Sequence, residues 1–170
     1  MEKLKNRLFI GFPTLLILVI FDRLTKRLAF NNLNLTNHVV ELIPGVLELR
    51  YLENEGAAFG MLQNRFFFFY LFTFVFITAF LFLYIRMPED KRFVPLNLLL
   101  IFFVAGAFGN FIDRVRYHYV IDFIYFKLIN FPIFNVADIY VTVSCFILIV
   151  LVLFYYKDDD LNKIKDSLKR

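Results

Sequence analysis

The chain has 170 residues, 60% of them hydrophobic and 20% aromatic, with 25 phenylalanines and a formal net charge of +4. A water-soluble domain of this size does not carry that apolar load, and the apolar runs approach or exceed the roughly 18–20 residues that cross a bilayer. Basic residues that flank such runs read as topology signals and lipid headgroup contacts, which excludes a nucleic-acid surface as partner. The expectation is an integral membrane protein, mainly α, forming one domain over residues 1–170.

Met1–Arg7 is basic and precedes the apolar run Leu8–Phe21, which has the outline of a secretory signal. No small-residue cleavage site follows; the run meets Asp22-Arg23-Leu24-Thr25-Lys26 instead, so it reads as a retained span over 8–30. The fourteen residues of this run reach only about 21 Å as a helix against a hydrocarbon core of about 30 Å. Asp22 and Lys26 are therefore carried within the membrane or at its edge.

In the following stretch, Leu47, Leu49 and Tyr51 alternate with Glu48 and Arg50 after the Pro44-Gly45 turn, a half-buried strand pattern. A small β-cradle within 38–60 is expected to rest on the membrane. Asn34-Leu35-Thr36 matches a glycosylation sequon, a motif short enough to occur by chance. Further spans are expected at 66–85, entered through the aromatic belt Phe66–Tyr70, at 95–115, opened by Pro95, and at 136–156. In the tail 157–170, Leu161, Ile164 and Leu168 share one helical face, which suits either an interfacial helix or a solvated charged tail.

Four spans put the chain termini and the 86–92 connection on one side of the membrane. Eleven of the 19 Lys and Arg residues lie on that side. The bias places both termini and the tail in the cytoplasm and the unusual polar residues at the outer face.

Among those polar residues, Asp122 and Asp138 sit in the apolar stretch Val120–Asp138. Carboxylates in such company are costly to ionise. Asn135 and Asp138 suit the start of the fourth helix as a cap and a dipole partner, which leaves Asp122 unexplained. The alternative is a carboxylate pair sharing one proton, with its two pKa values split so that an acid and a base coexist. In Gly106–Arg114, small residues at 106, 107 and 109 allow close helix approach, and Asn110 and Arg114 share a face. Asn54–Gly60 reads as a turn or as a close backbone approach to a site. Ser144 and Ser167 have no activating base placed beside them, and His38 and His118 form no metal motif, so neither serine chemistry nor zinc is expected.

Together the ordered blocks Asp22–Lys26, Asn54–Gly60, Gly106–Arg114, Val120–Phe123 and Phe134–Asp138 resemble the lipoprotein signal peptidases (signal peptidase II), the membrane aspartyl peptidases of bacteria. The resemblance implies four transmembrane helices with a small extracytoplasmic β-cradle. The activity it implies is removal of the signal peptide from prolipoproteins, with the cut just before the diacylglyceryl-modified cysteine. It carries over Asp122 and Asp138 as the catalytic pair and Asp22, Lys26, Asn54, Gly56, Asn110, Arg114 and Asn135 as site residues. No cofactor and no metal is expected, and the enzyme is expected to act as a monomer among membrane lipids in the bacterial cytoplasmic membrane. The chain departs from the pattern at His118, where the family carries glycine. A structural membrane subunit, which would need no Asp122, is one rival class, and a proton-coupled transporter using Asp122 and Asp138 is the other. The transporter would place its carboxylates near the midplane, whereas these cluster at one face and residues 66–85 contain no charged or amide side chain.

Overall fold

The computed structural model describes residues 2–34, 38–56 and 66–169. Four long helices form the body: α1 (Glu2–Ala29), α2 (Phe66–Arg86), α3 (Val94–Tyr117) and α4 (Val136–Val150). A π-helical turn extends α1 through Phe30–Asn34, and another extends α4 through Leu151–Tyr155. All four are long and apolar enough to cross a membrane. Their exposed side chains are mostly Phe, Leu, Ile and Val, an outward face that is stable only against lipid.

The third helix is the centre of the bundle: α1, α2 and α4 all pack on it, and it is the most buried of the spans. Close packing here depends on two glycines. A Cβ on Gly106 would stand 2.5 Å from the Ala137 carbonyl oxygen, and one on Gly109 would stand 2.6 Å from Asp22 Oδ2. The small residues expected to permit helix approach thus do so at α4 and at a carboxylate of α1.

The sheet differs from the expectation. Two antiparallel strands, β1 (Val40–Ile43) and β2 (Leu47–Asn54), fall inside 38–60, but the third, β3 (Val120–Phe126), comes from the stretch read as the α3–α4 loop. Val-Ile-Asp-Phe-Ile-Tyr-Phe has the β-branched and aromatic content of a strand. The carboxylate of Asp122 interrupts the apolar run and masks its strand pattern in the sequence. The α3–β3 junction explains His118: this residue caps α3 in the left-handed region at φ 66°, where glycine is the least strained choice.

Between Leu49 and Leu52 the β2–β3 register slips by one residue, a bulge on β2. Because side chains alternate along a strand, the slip changes which β2 residues face the site. Leu47 before the bulge and Leu52 and Asn54 after it all face the same cavity as Asp122 and Ile124 of β3.

At the opposite end the tail forms α5 (Asp158–Leu168). Of its expected apolar face, Ile164 packs against the cluster of Tyr84, Met87, Phe93 and Tyr156. Arg92 of the α2–α3 connection donates from Nε to Asp160 Oδ2 at 2.6 Å and from Nη2 to the Tyr155 carbonyl. Asp160 lies below its ordinary pKa, held there first by the Lys157 backbone N–H and also by Arg92. The tail is therefore a docked helix. Leu35 and Thr36 of the sequon and Ala57–Gly60 of the turn block lie outside the described residues.

Candidate active site

Two aspartates meet where β3 and the N-terminus of α4 come together. Asp122, almost completely buried, stands on β3 facing the cavity, and Asp138 is the third residue of α4. Between them is Asn135, fully buried, which reaches both. Its Nδ2 donates to Asp122 Oδ1 at 2.6 Å. Its Oδ1 accepts the Asp138 backbone N–H at 3.0 Å, while Asp138 Oδ2 accepts the Asn135 backbone N–H at 3.1 Å. The helix cap expected of Asn135 and the link to a carboxylate pair are thus the same residue doing both.

Two more amides complete the shell. Asn54, carried to the site by β2, donates to Asp122 Oδ2 at 2.8 Å, and its own carbonyl is fixed by the Gly56 backbone N–H at 3.0 Å. On α3, Asn110 donates from Nδ2 to Asp138 Oδ1 at 2.8 Å and accepts from Asn135 Nδ2 at 3.1 Å. Among the described residues, neither Asp122 nor Asp138 has a cation as hydrogen-bond or ion-pair partner. Burial, followed by the charge of Asp138, pushes the Asp122 carboxyl up to about 7 against the pull of its two amide donors.

Behind this shell lies a second buried polar group. Lys26, fully buried, places its ammonium 2.8 Å from Asn110 Oδ1, 3.0 Å from Asp22 Oδ2 and 2.8 Å from Asp113 Oδ2. Asp22 also accepts the Ala137 backbone N–H at 3.0 Å, tying α1 to the first turn of α4. Asp113 pairs in addition with Arg23. Asp113 and Arg23 are the residues that sequence reasoning missed. In the sequence Arg23 stands only within the Asp22–Lys26 block, and Asp113 lies in a block whose legible feature is the Asn110/Arg114 face. The available signal was a carboxylate in an apolar run three residues after Asn110.

Arg114 stands apart from the aspartates' hydrogen bonds. It lines the cavity, its Nη2 donates to the Gly56 carbonyl at 3.3 Å, and its guanidinium carbon lies 4.4 Å from the Phe69 ring centroid. Of the nine expected site residues, Asp122, Asp138, Asn54, Asn110 and Asn135 therefore form one hydrogen-bonded cluster. Asp22 and Lys26 support it from behind, and Gly56 and Arg114 form its wall.

The aspartates open into a cavity of about 1100 Å³. Asn54, Asn110, Arg114, Glu53, Glu55 and Thr142 line it besides the two aspartates, and the remaining lining is mainly apolar, from β3, the Ile129–Phe134 segment and the Ile139–Val143 face of α4. Ile139 and Val143 are themselves exposed on the membrane-facing side of the bundle. The site can therefore receive a long apolar molecule lying alongside α4 and bring one polar bond to the carboxylates.

Residues 14–154 match the family model of signal peptidase (SPase) II. The chain belongs to the signal peptidase II family. It is 42% identical over 137 residues to a lipoprotein signal peptidase of Streptococcus thermophilus (strain CNRZ 1066), covering 81% of this chain and 88% of that one. It is 40% identical over 157 residues to a lipoprotein signal peptidase of Streptococcus pyogenes serotype M5 (strain Manfredo), covering 92% and 98%. A bacterial membrane enzyme structure solved by the in meso method at 2.3 Å superposes with a TM-score of 0.75 at 30% identity, over 88% of this chain and 92% of its own. A second such structure, at 1.9 Å, gives 0.73 at 30% identity, covering 86% and 94%. The resemblance carried by the five blocks is thereby established. The chain is a multi-pass membrane protein and a peptidase, and the transporter reading finds no support.

Proposed function

We propose that this chain removes signal peptides from prolipoproteins by an aspartic mechanism at Asp122 and Asp138, cutting just before the diacylglyceryl-modified cysteine. The observation that carries the reading is the pair itself: two carboxyls bridged by Asn135 in a mainly apolar cavity beside α4. A signal peptide is an apolar helix, and the modified residue bears acyl chains, so both suit a cleft walled by lipid-facing side chains.

The division of labour follows from the surroundings. Asp138 sits in the first turn of α4 with two N–H donors, an environment that suits an anion, and it serves as the base that takes a proton from the attacking water. Asp122, raised to about 7, holds a proton near neutral pH; it hydrogen-bonds the scissile carbonyl and then helps protonate the leaving amine. The apolar walls strengthen both interactions by excluding water. Arg114 and Gly56 hold the substrate backbone at the wall. No metal or other cofactor enters the mechanism, and the enzyme works as a monomer in contact with membrane lipids.

Purified protein incubated with a diacylglyceryl-modified prolipoprotein should release the signal peptide, and the unmodified precursor should remain intact. Equal cleavage of both would overturn the assigned cut site, and cleavage of neither the function. The site is assigned to the outer leaflet, with both termini in the cytoplasm. In a Cys145→Ala background, Asn130→Cys should react with an impermeant thiol reagent on intact spheroplasts and Glu89→Cys should not. The reverse labelling would put the site on the cytoplasmic face and sink the orientation.

A further inference from the structure

Asn110 can present either its amide nitrogen or its oxygen to Asp138, and only the nitrogen supports an ionised base. What decides is on its other side. Asn110 Oδ1 is met by the Lys26 ammonium at 2.8 Å and by Asn135 Nδ2 at 3.1 Å, both of which only donate. An ammonium has no acceptor to offer, so with Lys26 in place the amide is locked with Nδ2 toward Asp138. The same carbonyl orients Asn135, whose Nδ2 also contacts Asp122. One cation behind the site thus sets a donor on each aspartate.

The position of that cation is set in turn by Asp113. Its Oδ2 lies 2.8 Å from Lys26 Nζ, its Oδ1 pairs with Arg23, and Oδ2 also accepts the backbone N–H of Ile121, the residue before Asp122, at 3.4 Å. Asp113 is fully buried and does not line the cavity, so it has no route to substrate. We infer that Asp113, clamped by Arg23, is a positioning residue that holds Lys26 against Asn110 and thereby orients the amide donors of both catalytic aspartates. The inference rests on the catalytic assignment of Asp122 and Asp138.

The charged groups around Asn110 are Asp22, Arg23 and Lys26 of α1, Asp113 and Arg114 of α3, Asp122 of β3 and Asp138 of α4. Removing Asp113 alone changes their balance, so the decisive variant is the charge-neutral double Arg23→Gln/Asp113→Asn, with Asp113→Asn as its companion. In the double variant kcat should fall by at least about tenfold, the scale expected when a reacting group is slightly misplaced. KM should change little, and Asp113→Asn should show the same split. A rise in KM with kcat unchanged overturns the proposal, and so does an unchanged kcat with a lowered unfolding temperature, since that is a merely structural role. If Asp122→Asn and Asp138→Asn retain activity, the catalytic assignment fails as well; if they are inactive and the double variant keeps its kcat, only this inference fails.

Discussion

Four carboxylates are brought together inside this protein, and they are treated in two different ways. Asp22 and Asp113 are fully buried and matched with Lys26 and Arg23, two negative charges against two positive. Asp122 and Asp138 receive only N–H groups of amides and backbone as hydrogen-bond donors among the described residues. The difference teaches what each pair is for. A buried carboxylate matched with a cation from another helix ties the two elements together, which suits a strut between helices. A carboxylate held by neutral donors can gain and lose a proton, which suits acid–base work. Asn110 joins the two groups, accepting from the ammonium of one and donating to the carboxylate of the other.

Breaking the second pair should have the largest effect on activity. Asp122→Asn or Asp138→Asn should lower turnover by more than about 10³-fold, near the upper range of general acid–base contributions. Both variants should remain folded, as thermal unfolding in detergent would show. Turnover within about tenfold of wild type in either would merge the two kinds of carboxylate and remove the distinction.

Breaking the first pair should act on stability. Lys26→Met leaves Asp113 paired with Arg23 but strands Asp22, whose ion pair among the described residues is with Lys26, and stranding a buried charge costs about 3–5 kcal/mol. The double variant Asp22→Asn/Lys26→Met should regain most of that loss in unfolding temperature while staying slow, because Asn110 is no longer held. If the double variant recovers turnover in full, Lys26 has no bearing on the aspartates.

The smallest effect sharpens the comparison through pH. The Asp122 carboxyl is raised from 3.8 to about 7 in the folded chain. The native state then binds its proton more tightly than the unfolded chain does. Ionisation therefore costs the fold increasing stability as pH rises from the ordinary value to the raised one, and the cost levels off above it. Asp122→Asn, which cannot ionise, should gain stability relative to wild type as pH rises through that window, the lost acceptor adding only a constant offset. A stability difference that does not vary between pH 5 and 8 would show that Asp122 does not titrate there.

The sequence by itself determined the membrane class, the four helices and the side of the bundle on which the polar residues collect. These depend on the length of apolar runs and on their even number, which are local and additive properties. It also marked Asp122 and Asp138, because a carboxylate among Ile, Phe and Val stands out without any structure. The strand character of Val120–Phe126, the bulge that turns Leu47 and Asn54 toward one cavity, and the pairing of Arg23 with Asp113 were decided only in three dimensions. Each depends on a partner far away in the chain: β3 is a strand because β2 lies beside it, and Asp113 is affordable in an apolar helix because α1 supplies two cations across a contact that Gly106 and Gly109 keep narrow around α3. Hydrophobic patterning records which side of an element is buried, but which polar group it meets there is set by packing between elements distant in sequence.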